Sequence, residues 1–343
     1  MNKRCHRGSL SLIVKTDLIL SGGTMIQLFL RTGKFAAAIA AGSLISSALN
    51  AGHSPVKLED EFLIVSLAAP EAVSRARGHG DSARSRVTLP RNSSEQVKMK
   101  SSTKGLEVQL KLPFAERNAS AKHIGNEFVS FDNGNGSKTV PVPQGEGSVA
   151  VHTIIASISA PTVYDYEVGS DSDIHLKLVD GGGILIVDGT GSFVAAVAPP
   201  WAKDATGAKV ETHYEIHGSK IRQVVHHSSA SIKYPVVADP YLGVDLFSST
   251  WWTGSGRSLV AHLNTTPMMG VAFAVGHAFT FGWPEAVNKM GNTLRQENLY
   301  QQFACHANGA PFASSGGSPS WDLENYRGTT WNYAHFWVHG CNW

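Results

Sequence analysis

The chain has 343 residues, 42% of them hydrophobic, enough for two ordinary domains with normal cores. Only 16% of residues are charged, below the ~25% of typical soluble chains, and glycine is plentiful (34), which suits a β-rich exported protein better than a cytosolic helical enzyme. The net charge of +2 comes from residues 1–51: without their six basic residues and one acid, 23 basic and 26 acidic residues remain, and no Lys/Arg stripe follows, which argues against a nucleic-acid partner.

Arg31 and Lys34 precede an apolar run over residues 35–49, and small residues lie at its end (Ser46, Ser47, Ala48) and just after it (Ala51). This is the three-part pattern of a secretory signal peptide, so residues 1–51 read as a leader, with Met25 as an alternative start. The run is shorter than the ~20 residues of a spanning helix, so no membrane span is expected in the mature chain. The expected address is secreted, outside the cell. Residues 52–105 follow; their part 74–104, rich in Ser, Arg, Lys and Gly, makes the segment read as a flexible linker or arm.

From residue 106 the pattern is strands. Leu106, Val108, Leu110 and Leu112 alternate with Glu107, Gln109 and Lys111, a period of two. Further strands are expected near 148–158, 162–168, 174–179, 184–187, 193–197, 210–216, 220–226 and 231–237, with turn chemistry at Asp132-Asn133-Gly134 and Asp188-Gly189. The fold class expected for 106–240 is mainly β, an antiparallel sandwich or twisted sheet.

Near Asp239-Pro240 the character changes, and 241–343 reads as a small α+β domain. Stretches 246–253 and 258–263 flank Gly254-Ser255-Gly256 as a hairpin. Thr266-Pro267 is an N-cap followed by a first-turn proline, and an apolar helix is expected from Met268 to Phe281, stopped by Gly282. A short second helix over 283–291 and a third ending near Ala304 follow; the remainder reads as loop.

Cys305 and Cys341 are the cysteines left after the leader. In an oxidising compartment they are read as one disulfide, ahead of a metal pair or a thiol nucleophile beside His306.

Two segments resemble known regions. Residues 162–240, ending Tyr234-Pro235-Val236-Val237-Ala238-Asp239-Pro240, resemble a β-rich region of actinobacterial secreted proteins. Residues 247–342 resemble a domain of unknown function, number twenty-five ninety-nine in the catalogue of such families. The marks are Gln302, Phe303, Cys305 and His306, then Trp321-Asp322-Leu323-Glu324, Arg327, Tyr333 and Cys341-Asn342. Gly328 and Trp343 stand where the pattern has proline, and Asp322 where it has Asn, which suggests a divergent member. The resemblance implies secretion and this architecture; it brings no reaction.

The candidate catalytic residues are His306, Glu324 and Arg327, with Asp322, since a His beside a carboxylate suits acid–base work near neutral pH. The preferred alternative is structural: Asp322 and Glu324 cap a turn and Arg327 pairs with a carboxylate. His335 and His339, four apart, are the candidate metal pair, but a third ligand is not evident, and neither a metal nor a cofactor is expected. No nucleophile elbow, Walker loop or His-Glu-x-x-His occurs. The expected function is noncatalytic binding at or outside the cell envelope, to an envelope component or another cell. The alternative is a secreted hydrolase or toxin-like effector acting through the C-terminal domain. Exposed aromatic rings would mark the first, and His306 and Glu324 converging in a cleft the second.

Overall fold

The computed structural model describes residues 60–78, 86–102, 105–124, 128–145, 147–309, 320–330 and 341. The leader lies outside the described residues. Helices α1 (Glu61–Ala68) and α2 (Pro70–Gly78) come first. Strands follow in the order β1 (Val87–Thr88), β2 (Gln96–Lys100), β3 (Glu107–Lys111), β4 (Lys122–Ile124), β5 (Phe128–Asp132), β6 (Ser137–Pro143), β7 (Ser148–Ile155) and β8 (Val163–Ser170). The chain continues through β9 (Ile174–Leu178), β10 (Ile184–Asp188), β11 (Phe193–Val197), β12 (Ala202–Lys203), β13 (Thr212–His217), β14 (Lys220–Val225), β15 (Val236–Ala238) and β16 (Tyr241–Gly243). The C-terminal region adds the hairpin β17 (Phe247–Thr253) and β18 (Val260–Thr265), helices α3 (Pro267–Ala274), α4 (Ala278–Met290) and α5 (Glu297–Gly309), and strand β19 (Ser320–Glu324).

The strands form antiparallel sheets. A six-stranded sheet has the order β1-β2-β3-β8-β14-β13, and a ten-stranded sheet runs β4-β5-β6-β7-β16-β11-β10-β9, with β15 pairing β7 and β12. The two-residue period decides which side chains meet between them. Val108 and Leu110 of β3 and Tyr164, Tyr166 and Val168 of β8 point inward, onto Val149, Val151, Ile184 and Ile186 of the larger sheet. Each such apolar side chain contributes about 1.5–3 kcal/mol when fully buried. The fold is therefore mainly β with a packed sandwich, followed by an α+β region.

Strand β7 is buried along its whole length because both its faces are covered. Val149, Val151 and Ile155 face the six-stranded sheet, whereas Ala150 meets the C-terminal helices and Ile154 meets α1 and α2. The helices that cover the Ile154 end of this second face come from residues 61–78, inside the segment read from sequence as an arm. That segment instead supplies α1, α2, β1 and β2. Ile64, Val65 and Val73 pack on Phe128, Val140 and Val142. Buried Glu61 anchors α1 through Lys138 at 2.7 Å and Lys122 at 3.3 Å. Burial pushes the Glu61 carboxyl up, but hydrogen bonding and charge from these lysines hold it below its ordinary value.

Two further elements differ from the expected ones. The apolar helix breaks at Gly276 (φ +71°) rather than at Gly282. Gly282 lies inside α4, where a Cβ would sit 3.1 Å from Phe303 Cζ and 3.2 Å from Met269 Cε; the glycine is there for close packing, not to end the helix. Pro284 is also accommodated within α4. In the stretch read as loop, Ser320–Glu324 is the third strand of a three-stranded sheet ordered β17-β18-β19. Strand β16 lies between β7 and β11, so the chain stays in the sandwich past residue 240, and Lys57–Trp343 is one compact unit.

The sandwich also buries Asp239, whose Oδ1 accepts from the Trp201 amide at 2.8 Å and from Gln223 Nε2 at 3.5 Å. Burial pushes this carboxyl up to about 8, against the pull of those hydrogen bonds. Because the folded-state value lies above the unfolded one, the contribution of Asp239 to stability is fully present below about pH 4. It declines as pH rises toward 8, by on the order of 1 kcal/mol per pH unit. Asp239→Asn removes this titration. Thermal unfolding at pH 5 and pH 8 should show the variant gaining several degrees on the wild type between the two; parallel curves would contradict the assignment.

Candidate functional site

The outer face of the three-stranded sheet is built by strand alternation and register. A bulge between Phe247 and Ser249 sets the pairing, after which Trp251 lies opposite His262 and Trp252 opposite Ala261. On the other side of β18, His262 pairs with Asp322 and Leu263 with Trp321. Ala261, Leu263, Trp321 and Leu323 therefore point inward, where they pack with Phe247 and Phe303. Trp251, Thr253, His262, Asn264, Asp322 and Glu324 share the opposite face.

A hydrogen-bonded row runs across all three strands on that face. His262 Nδ1 lies 2.8 Å from Asp322 Oδ1, and His262 Nε2 lies 2.7 Å from Thr253 Oγ1. In the tautomer with the proton on Nδ1, the ring donates to the carboxylate and Nε2 accepts from the threonine hydroxyl. The Trp251 ring stacks on the imidazole, centroids 4.8 Å apart and planes 14° apart. The Ser320 hydroxyl donates to the same Asp322 oxygen at 3.0 Å. The imidazole is thus held in plane by its neighbours. Beyond β19, Arg327 pairs with Glu324 and lies 5.3 Å from the centre of the Tyr326 ring. Hydrogen bonding to Glu324 raises both the Tyr326 hydroxyl and the Arg327 guanidinium above their ordinary values.

The residues singled out from sequence divide differently. His306 stacks on the buried Trp321 ring, planes 12° apart, whereas the Glu324 side chain belongs to the opposite face of β19. The two do not converge. Arg327 meets a carboxylate, as the structural alternative requires, but Asp322 lies within a strand and not at a turn cap. Gln302 is a joint between α5 and β19: its side chain accepts from the Glu324 amide at 2.8 Å and donates to the Glu324 carbonyl at 3.0 Å. Phe303, Trp321 and Leu323 are core, with the Phe303 and Trp321 rings edge to face at 5.2 Å. Tyr333, His335 and His339 lie outside the described residues. Among the described residues, no group of three or more His, Cys, Asp or Glu could hold a metal ion, and no helix is long and apolar enough to cross a membrane.

Thr253, Trp251 and His262 were not anticipated as site residues. The hairpin turn and the alternation of Ala261-His262-Leu263 contain the signal that places these three together. The partner Asp322 does not follow from them, because it arrives only through the pairing of β19.

No protein-family model matches the chain, and no curated protein matches it.

Cys305 and Cys341 form a disulfide, with Cα atoms 5.5 Å apart and a sequence separation of 36. It ties α5 to a point close to the end of the chain. A closed loop of this length restricts the unfolded chain by about 4 kcal/mol in the chain-entropy account. Limited proteolysis of the oxidised and reduced protein should give new cleavages after residue 305 on reduction, with the sandwich left intact. An unchanged cleavage pattern would count against this role.

Proposed function

We propose that this chain is an exported protein that acts at or outside the cell envelope by binding, with the outer face of the β17-β18-β19 sheet as its contact surface and the β-sandwich as its carrier. The observation that carries this reading is the exposure of Trp251 (43%) and Tyr326 (50%), while the other described aromatic side chains after residue 240 are partly or fully packed inside. Aromatic rings surrounded by hydroxyl, amide and carboxylate groups give a surface that is apolar in places and rich in hydrogen-bonding groups. The leader pattern and the low charged content support export, and the disulfide is compatible with an oxidising compartment. The resemblance to actinobacterial secreted proteins and to the domain of unknown function points the same way. The partner class is an envelope component or the surface of another cell.

Retention of the mature, oxidised protein on purified cell wall tests this. The wild type should be retained above a control protein of similar size and charge. Trp251→Ala and Tyr326→Ala should each weaken retention by about 1 kcal/mol, roughly five-fold in Kd. No retention of the wild type above the control would overturn the proposal.

A further inference from the structure

Binding on the outer face of the sheet requires no chemistry, yet the row across it has the parts of a nucleophilic site. We propose that Thr253, His262 and Asp322 form a hydrolytic triad for acyl esters. The hydroxyl lies 2.7 Å from His262 Nε2 and the carboxylate 2.8 Å from His262 Nδ1, which is the order nucleophile, base, orienting acid. An ordinary cross-strand polar pair would need only one of these contacts. Here both ring nitrogens are engaged, each by the group that acyl transfer asks for.

Three features support the assignment. The imidazole is held by Trp251 on one face and cannot turn freely, so Nε2 stays directed at the hydroxyl. Asp322 is itself positioned by the Ser320 hydroxyl. Thr253 is exposed and ends β17 immediately before Gly254-Ser255-Gly256, so its hydroxyl is open to a substrate.

The reaction balances with water as the only co-reactant. Thr253 Oγ1 attacks the ester carbonyl carbon, and its proton passes to His262 Nε2. The resulting alkoxide collapses, the bond to the leaving oxygen breaks, and His262 returns the proton to that oxygen, releasing an alcohol. Water then repeats the sequence on the acyl-threonine, giving a carboxylic acid and the free hydroxyl. Asp322 stays ionised and holds the imidazolium while it exists. An open sheet face suits an ester carried on a polymer better than a small molecule that needs enclosure. The proposal goes beyond the binding reading and does not depend on it.

A fluorophosphonate probe and p-nitrophenyl esters test it on the oxidised full-length mature protein. The probe should label Thr253, identified by peptide mass. Thr253→Ala should lose both labelling and ester turnover, while Thr253→Ser keeps both. His262→Gln and Asp322→Asn should lower kcat/KM at least ten-fold with the thermal unfolding transition retained. Absence of label at Thr253 in the folded wild type, or equal ester turnover by the wild type and Thr253→Ala, would overturn the triad. Cell-wall retention of Thr253→Ala, which keeps both exposed rings, reports separately on the binding reading.

Discussion

Asp245 and Glu285 place two buried carboxylates around the Lys289 ammonium, at 3.3 and 3.6 Å, where the sandwich hands over to the C-terminal region. Their environment explains why they tolerate burial. Asp245 also accepts from the Ser101 and Ser102 hydroxyls at 2.7 Å and lies 3.5 Å from Arg86. Glu285 accepts from the amides of Leu246 and Phe247. Lys289 also donates to the Phe247 carbonyl at 2.6 Å. Taking two carboxylates out of water is costly, and only a network that satisfies them from several directions offsets that cost. This one draws on the end of β2, the link from β16 to β17, and helix α4. It joins the first part of the fold to the last.

That knot fixes where the outer face sits. Glu285 holds the first residues of β17, so the hairpin leaves the sandwich in one direction. Helices α3 and α4 then fill the space between the ten-stranded sheet and the inner side of the hairpin, with Met268 and Val271 of α3 and Val287 of α4 in one cluster with Phe247 of β17. Trp252 Nε1 reaches the Met290 carbonyl at 3.2 Å and ties the hairpin to the end of α4. Gln302 and the ring of Phe303 seat β19, which brings Asp322 to His262. Each part of the candidate site thus depends on a contact made on the buried side of the sheet, and the polar row is the visible consequence of an apolar arrangement beneath it.

Much of this was legible in the residues and some was not, for identifiable reasons. The strands with clean alternation, such as Glu107–Lys111 and Val163–Ser170, and the Thr266-Pro267 helix start follow from local chemistry alone. The cysteine pair followed from counting and compartment. Helices α1 and α2 were obscured because the apolar residues of α1 show almost no one-sided pattern and the polar stretch after them resembles a linker. Strand β19 is five residues long in a glycine- and serine-rich surrounding, and its period of two becomes informative only once β18 is known to be its neighbour. The same holds for the site. His262, Trp251 and Thr253 are close through one hairpin, but Asp322 joins them across 60 residues of sequence. His306 and Glu324, close in the motif, are separated by the two faces of a single strand. Sequence proximity suggested one constellation, and strand pairing assembled another.

The Asp245–Lys289–Glu285 knot couples the sandwich to the C-terminal sheet. Native-state hydrogen exchange in low urea measures this directly, by comparing amides of β8 with amides of β18. In the wild type both should open with the same free energy. In Asp245→Ala, which leaves Lys289 beside an unfilled position, β18 should open about 3–5 kcal/mol more easily while β8 keeps a higher value. Separate opening of the two strands in the wild type, unchanged by Asp245→Ala, would contradict the coupling.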